Sequence, residues 1–233
     1  MTATAAAFYA SHRAGLFILH LCMLRASANW CALSDDARPL SVADVVTLSA
    51  NSLLEHSFLL LLVEKLSGAV LVDALTPVRF YLLFWIDDLF YCCLHRLLHA
   101  PVLFRLVHAH HHRSRKPARG YLDAGNEHPL EQLAALSLHL AAVDVVARSL
   151  SLDAASVVLH VGAKAAGSIL NHLAVDATFS LGCGVVLSST YHREHHMTGR
   201  KNYAQFIPAV DRAVTILLSC SFSRCSSRTT ASS

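Results

Sequence analysis

Residues 130–171 read LEQLAALSLHLAAVDVVARS, then LS, then LDAASVVLHVGAKAAGSILN. Each of the two arms, 130–149 and 152–171, has the length of about 20 residues that one bilayer crossing needs, and only Leu150 and Ser151 separate them. The stretch therefore predicts a helical hairpin. A hairpin returns the chain to the side it left, so the hydrophilic stretches 94–129 and 172–212 must share one face of the membrane. Both are basic, as expected of a cytoplasmic face.

Working outward from the hairpin, the rest of the chain fits the same environment. Apolar residues make up 54% of the 233 and charged residues only 15%, against about 25% charged in a soluble domain. The mean hydropathy is +0.44. Further apolar segments are expected at 42–63, with Asp44, Glu55 and His56 turned towards protein, and at 69–93, where Pro77 kinks or restarts the helix. Residues 14–24 read equally as a signal peptide or a short first membrane helix. The expected fold is all-α: a multi-pass transmembrane bundle of about four helices with a histidine-rich helical cap. Residues 1–65 form the N-terminal membrane segments, 66–212 a catalytic domain, and the Ser/Thr-rich stretch 213–233 a disordered tail.

The formal charge of +3 is small, and nucleic acid is not an expected partner. The basic residues gather instead at Arg105, Arg113, Arg115, Lys116 and Arg119, as in a loop beside lipid headgroups. The seven cysteines are scattered, form no CxxC pair and read as reduced thiols.

Histidine is the outlier, with 16 residues, roughly three times ordinary usage. His95 and His99 form HxxxH, which puts two imidazoles on one helical face. His108, His111 and His112 form HxxHH within HAHHH, and His192, His195 and His196 form a second HxxHH within YHREHH. His110 falls between the positions of the first pattern and is expected to face outward. His128 precedes Pro129 and sits at a helix entrance, while His172 follows the exit of the hairpin. All ten patterned histidines thus come to one membrane boundary. Ten are too many for one ion, since a catalytic mononuclear site takes about three protein ligands and a structural zinc about four. Two metals fit better, although imidazole alone does not choose among iron, zinc, copper and nickel. Asp88 and Tyr91 lie seven and four residues before His95 on the same helical face, where either can orient a ligand ring. His12, His20, His56, His139 and His160 read as hydrogen-bonded interior residues without a catalytic role, the last two bonded to each other across the hairpin.

The ordered set DLFYCCLHRLLH, HAHHHRSRKP, NEHPLEQ, NHLAVD and YHREHH, followed by NYAQF and DR, resembles the fatty acid hydroxylase and sterol desaturase family over roughly residues 80–212. The resemblance implies membrane helices capped by a cytosolic region that holds two iron ions, for which zinc can substitute. By position His95, His99, His108, His111, His112, His128, His172, His192, His195 and His196 inherit the ligand role. It further implies hydroxylation or desaturation of a lipid (fatty acid, sterol or sphingolipid) with dioxygen. Electrons would come from a b-type cytochrome and its reductase. An integral membrane location follows, in the endoplasmic reticulum for a eukaryotic chain, with the histidine site facing the cytoplasm. Two other readings remain open at this point. One is a histidine-rich metal transporter. The other is an inactive family member, because the aromatic-or-leucine plus FGT continuation usual after DR is replaced from Ala213 on.

Overall fold

The computed structural model describes residues 39–229, together with Ala10 and residues 13–15, 17, 18, 21, 22 and 25, with side chains described through Cys220. His12, His20 and most of the 1–30 stretch, on which the signal-peptide reading falls, lie outside the described residues.

Four of the five long helices form the bundle. They are α1 (Val42–Lys65), α2 (Thr76–Leu98), α5 (Pro129–Ser149) and α6 (Ala154–Asn171). Between α2 and α5 come α3 (Pro101–Leu106), a 3-10 helix (His108–Arg113) and α4 (Tyr121–Ala124); after α6 come strands β1 (Thr178–Gly182) and β2 (Val185–Ser188), then α7 (Ser189–Thr198) and α8 (Pro208–Thr229).

The helix boundaries follow from local chemistry. Ser41 and Asp44 cap α1 reciprocally, which satisfies N–H groups that a helix start leaves open. Pro77 does not kink a helix that is already running; it sits in the first turn of α2, where its missing N–H costs nothing. Asp153 caps α6 through the Ser156 N–H at 2.8 Å. The expected hairpin is present as α5 and α6.

The long helices alternate in direction. Asn51 of α1 donates to the carbonyls of Gly125 and Glu127 at 2.9 and 2.7 Å, at the end of the bundle where the histidine stretches lie. Lys65 at the other end of α1 pairs with Asp144 at 2.6 Å. At that far end Arg79, only 1% exposed, is gripped by Asp153 at 2.9 Å and Asp73 at 2.5 Å. Between the ends Phe58, Leu59, Leu62, Leu83, Val143, Val146, Val157 and Val161 form a close-packed core. In lipid such contacts act by dispersion and shape rather than by escape from water. A second core, including Phe84, Leu170, Leu187, Phe206, Ile207 and Val210, binds the β-hairpin and the segment before α8 to the bundle.

Two helices, α1 and α5, are long and apolar enough to cross a membrane. The expectation of about four such helices is met only to this extent among the described residues, because Arg79, Asp87 and Asp88 in α2 and His160 and Lys164 in α6 dilute their apolar character. The fold is mostly helical, with one exception to the all-α expectation: β1 and β2 pair antiparallel. Their turn places Gly182, Cys183 and Gly184 at positive φ, and glycine tolerates that region without strain. The tail differs as well. The expected disorder after residue 212 gives way to α8, which runs to Thr229, because Ala213, Val214 and the following ILL continue the helix begun at Pro208. Ile216, Leu217 and Leu218 on it are exposed.

Candidate metal centre

The last turn of α2 carries His95 and His99, the 3-10 helix carries His108, His111 and His112, α6 delivers His172, and α7 carries His192, His195 and His196. Gly199 ends α7 in the left-handed region, its N–H returning to the His195 carbonyl. Nine of the ten patterned histidines come together in two groups. His95, His99, His108, His112 and His195 form one, and His111, His172, His192 and His196 the other; within each group the ligand atoms all lie within 4.8 Å of one another. The groups adjoin, since His111 and His112, like His195 and His196, are consecutive residues divided between them.

The tenth, His128, lies outside both groups. Its Nδ1 accepts the Leu130 N–H at 3.2 Å, so the ring serves as the cap of α5. His110 also stays out, bonding Asn126 at 2.8 Å.

Hydrogen bonds at the rear of the rings fix how they face inward. His95 Nδ1 meets the Tyr203 carbonyl at 2.8 Å, His195 Nδ1 the Lys201 carbonyl at 2.7 Å, His172 Nδ1 the Ser168 carbonyl at 2.8 Å and His196 Nδ1 the Ser114 carbonyl at 3.0 Å. A carbonyl only accepts, so each Nδ1 carries the proton and each Nε2 presents a bare lone pair. His108 Nδ1 donates in the same way to the Glu131 carboxylate at 2.7 Å. Yet His95 Nε2 and His108 Nε2 stand 3.1 Å apart. With both protons at the rear, this contact is no hydrogen bond, and a cation between the two nitrogens would relieve it. Burial is the first cause keeping these rings neutral, followed for most by repulsion from neighbouring imidazoles. It lowers His99 and His195 to about 4 and His112 to about 3, and holds His95, His111, His192 and His196 well below 6.5.

The spacing also fits a metal. Neighbouring Nε2 atoms lie 3.1 Å (His99 and His195), 3.0 Å (His108 and His112), 3.2 Å (His112 and His195), 3.1 Å (His172 and His192) and 3.0 Å (His192 and His196) apart. With a metal–nitrogen bond of about 2.1 Å, ligands at right angles sit about 3.0 Å apart and tetrahedral ones about 3.4 Å. The observed edges of 3.0–3.2 Å lie between the two values and nearer the first. His111 Nδ1 is buried without a hydrogen-bond partner, a further donor to be satisfied.

Asp88 does not orient a ring. Its carboxylate accepts the backbone N–H groups of Gln205, Phe206 and Ile207 at 2.7, 3.1 and 2.7 Å, because the chain entering α8 leaves those donors open. Its effect on the site runs through that segment, which lies just beyond the Tyr203 carbonyl. Tyr91 packs on His95 with ring centroids 5.2 Å apart. Sequence reasoning missed Glu131, and it missed Asp211, which accepts the Asn202 and Tyr203 N–H groups at 3.2 and 3.3 Å and pairs with Arg96 at 2.5 Å. Both stand in the quoted motifs, Glu131 in HPLE and Asp211 in DR.

A cavity of about 190 Å³ opens from the four-histidine group. His111, His172, His192 and Tyr91 line one part, and Phe58, Leu59, Leu136, Val161 and Ile169 another. Residues 80–215 match the family model described as fatty acid hydroxylase, more than half of the chain. The protein belongs to the fatty acid hydroxylase family. No curated protein and no solved structure matches the chain. Family membership brings lipid-hydroxylase-like chemistry and iron use as general properties, and the two groups are where this hydroxylase-family chain could hold metal.

Proposed function

We propose that this chain is an integral membrane di-iron oxygenase that hydroxylates or desaturates a lipid with dioxygen. The observation that carries the reading is the inward convergence of nine imidazoles, five of which have their rear protons committed to carbonyls or to Glu131. His95, His99, His108, His112 and His195 would hold one iron, and His111, His172, His192 and His196 the other. Bound iron supplies the dioxygen chemistry that breaks an unactivated C–H bond.

The chain's own residues do the rest. Phe58, Leu59, Leu136, Val161 and Ile169 take up an acyl or ring portion of the lipid and keep water from the reacting carbon. His111, His172 and His192, which line the same cavity, put that carbon next to the four-histidine group. Tyr91 packs on His95 and borders the cavity, so it fixes a ring edge and shapes the space beside it.

The five-histidine group faces the other way. His99 and His112 border an open depression with Phe104, Arg115 and Arg200, a basic surface suited to an acidic electron carrier such as a b-type cytochrome served by its reductase. The basic loop 105–119 would lie at the cytoplasmic headgroups, on the endoplasmic reticulum of a eukaryotic cell. Lipid mass spectrometry of cells expressing wild type and His195→Ala tests the proposal. A hydroxylated or desaturated lipid present with wild type and absent with the variant is expected; identical lipid profiles would remove the enzyme reading and favour an inactive family member.

A further inference from the structure

A third group of donors lies inside the bundle, beside the cavity that His111, His172 and His192 also border. Asp87 of α2, His139 of α5 and His160 of α6 are 2%, 4% and 0% exposed, and their donor atoms lie within 4.8 Å of one another. The two rings do not bond each other, as the sequence had suggested. They stack with centroids 5.0 Å apart and 17° between planes, and both turn a nitrogen to Asp87 Oδ2, His139 Nδ1 at 3.3 Å and His160 Nε2 at 3.5 Å. Phe58 and Phe84 wall them in edge to face.

Lys164 contacts the same carboxylate oxygen and balances its charge. That ion pair leaves much unexplained, because Asp87 Oδ1, His139 Nε2 and both nitrogens of His160 have no hydrogen-bond partner. Each such buried atom costs about 1–3 kcal/mol, and three separate helices contribute them to one spot.

We propose that Asp87, His139 and His160 form a third cation site, for a divalent transition metal of the zinc type, in which Lys164 is the competing cation. Two imidazoles and one carboxylate are a common ligand set for such ions. The 3.3 and 3.5 Å edges to Asp87 Oδ2 are compatible with the tetrahedral value of about 3.4 Å. The ammonium has somewhere to go: the Lys164 side chain is 19% exposed, borders the 190 Å³ cavity and lies 5.8 Å from the Tyr91 ring centroid. Metal entry moves it off the carboxylate into that cavity. The site shares no ligand residue with the nine histidines, so its occupancy does not depend on the oxygenase reading.

Cobalt(II) titration of the detergent-solubilised full chain tests this, read by metal content and by the strong visible absorption of tetrahedral cobalt. Wild type is expected to show that absorption, and Asp87→Asn to lose it while keeping the metal bound by the histidine groups. Lys164→Met should show it at a cobalt concentration lower by on the order of tenfold, since a like charge has been removed from the site. If Asp87→Asn does not fold, His160→Gln provides the same reading. No tetrahedral absorption in either wild type or Lys164→Met, or absorption that survives both Asp87→Asn and His160→Gln, would overturn the proposal. Failure of the nine-histidine centre would appear differently, as loss of the remaining metal with the absorption intact.

Discussion

The two histidine groups are built from the same short motifs and yet face different surroundings. The mostly apolar cavity is bordered by His111, His172 and His192 of the four-histidine group, whereas the basic depression is bordered by His99 and His112 of the five-histidine group together with His196 of the other. The four-histidine group has fewer imidazoles and a mostly apolar space of about 190 Å³ beside it; the five-histidine group has an extra ring, the Glu131 carboxyl behind His108 and a basic surface outside. On the proposed reading this difference would divide the labour, with substrate contact at the four-histidine group and electron entry on the side of the five-histidine group.

The sharpest way to break this comparison is to remove one ring from each side. His192→Ala should abolish lipid oxidation, because the four-histidine group has no ligand to spare. His112→Ala should leave measurable activity, because four imidazoles remain in its group. Product yield per chain in proteoliposomes checks both, and equal loss would erase the distinction.

Glu131→Gln comes next. It weakens the acceptor behind His108, and changes of this kind cost about 10–100-fold in metal affinity. The loss should fall on the five-histidine group alone, as read by metal content during stepwise chelation.

A smaller effect is expected from Gly167→Ala on α6. An added Cβ would lie 2.5 Å from a Phe206 ring carbon and 2.8 Å from Leu187, and overpacking of this kind costs about 1–3 kcal/mol. Thermal unfolding in detergent should shift downward, and the four-histidine group, which α6 supplies with His172, should release metal first. The smallest effect is that of Leu136→Trp, which fills part of the cavity. It should lower turnover of long-chain lipid while metal content stays at the wild-type level.

Much of this architecture was legible in the sequence, and the reasons for the exceptions are physical. The two helices of 130–171 could be read because length and capping are local properties, although only the first is apolar enough to cross a membrane, and HxxxH could be read because residues four apart share a helical face. How each HxxHH divides was not legible. His108 and His112 go to one group and His111 to the other, while His192 and His196 go to one group and His195 to the other. That partition depends on how the 3-10 helix docks against α7. The carbonyls of Ser114, Ser168, Lys201 and Tyr203 were invisible because every residue has one. Glu131 had a signal, an acidic residue in the first turn of α5 three positions after His128. Asp88 was misread because its place on the His95 stripe said nothing of the open N–H groups entering α8. The β-hairpin had a signal in Gly182, Cys183 and Gly184, a turn cluster between two short β-prone runs.

The claim on which the account rests is that both groups bind metal through imidazole at near-right angles. X-ray absorption at the iron edge of protein loaded anaerobically with iron(II) measures this directly. The account predicts two irons bound by the histidine groups, with an average of between four and five imidazole nitrogens per iron and the weak pre-edge of five- or six-coordination. A tetrahedral spectrum with fewer nitrogens, or a chain that takes up no iron, would contradict it.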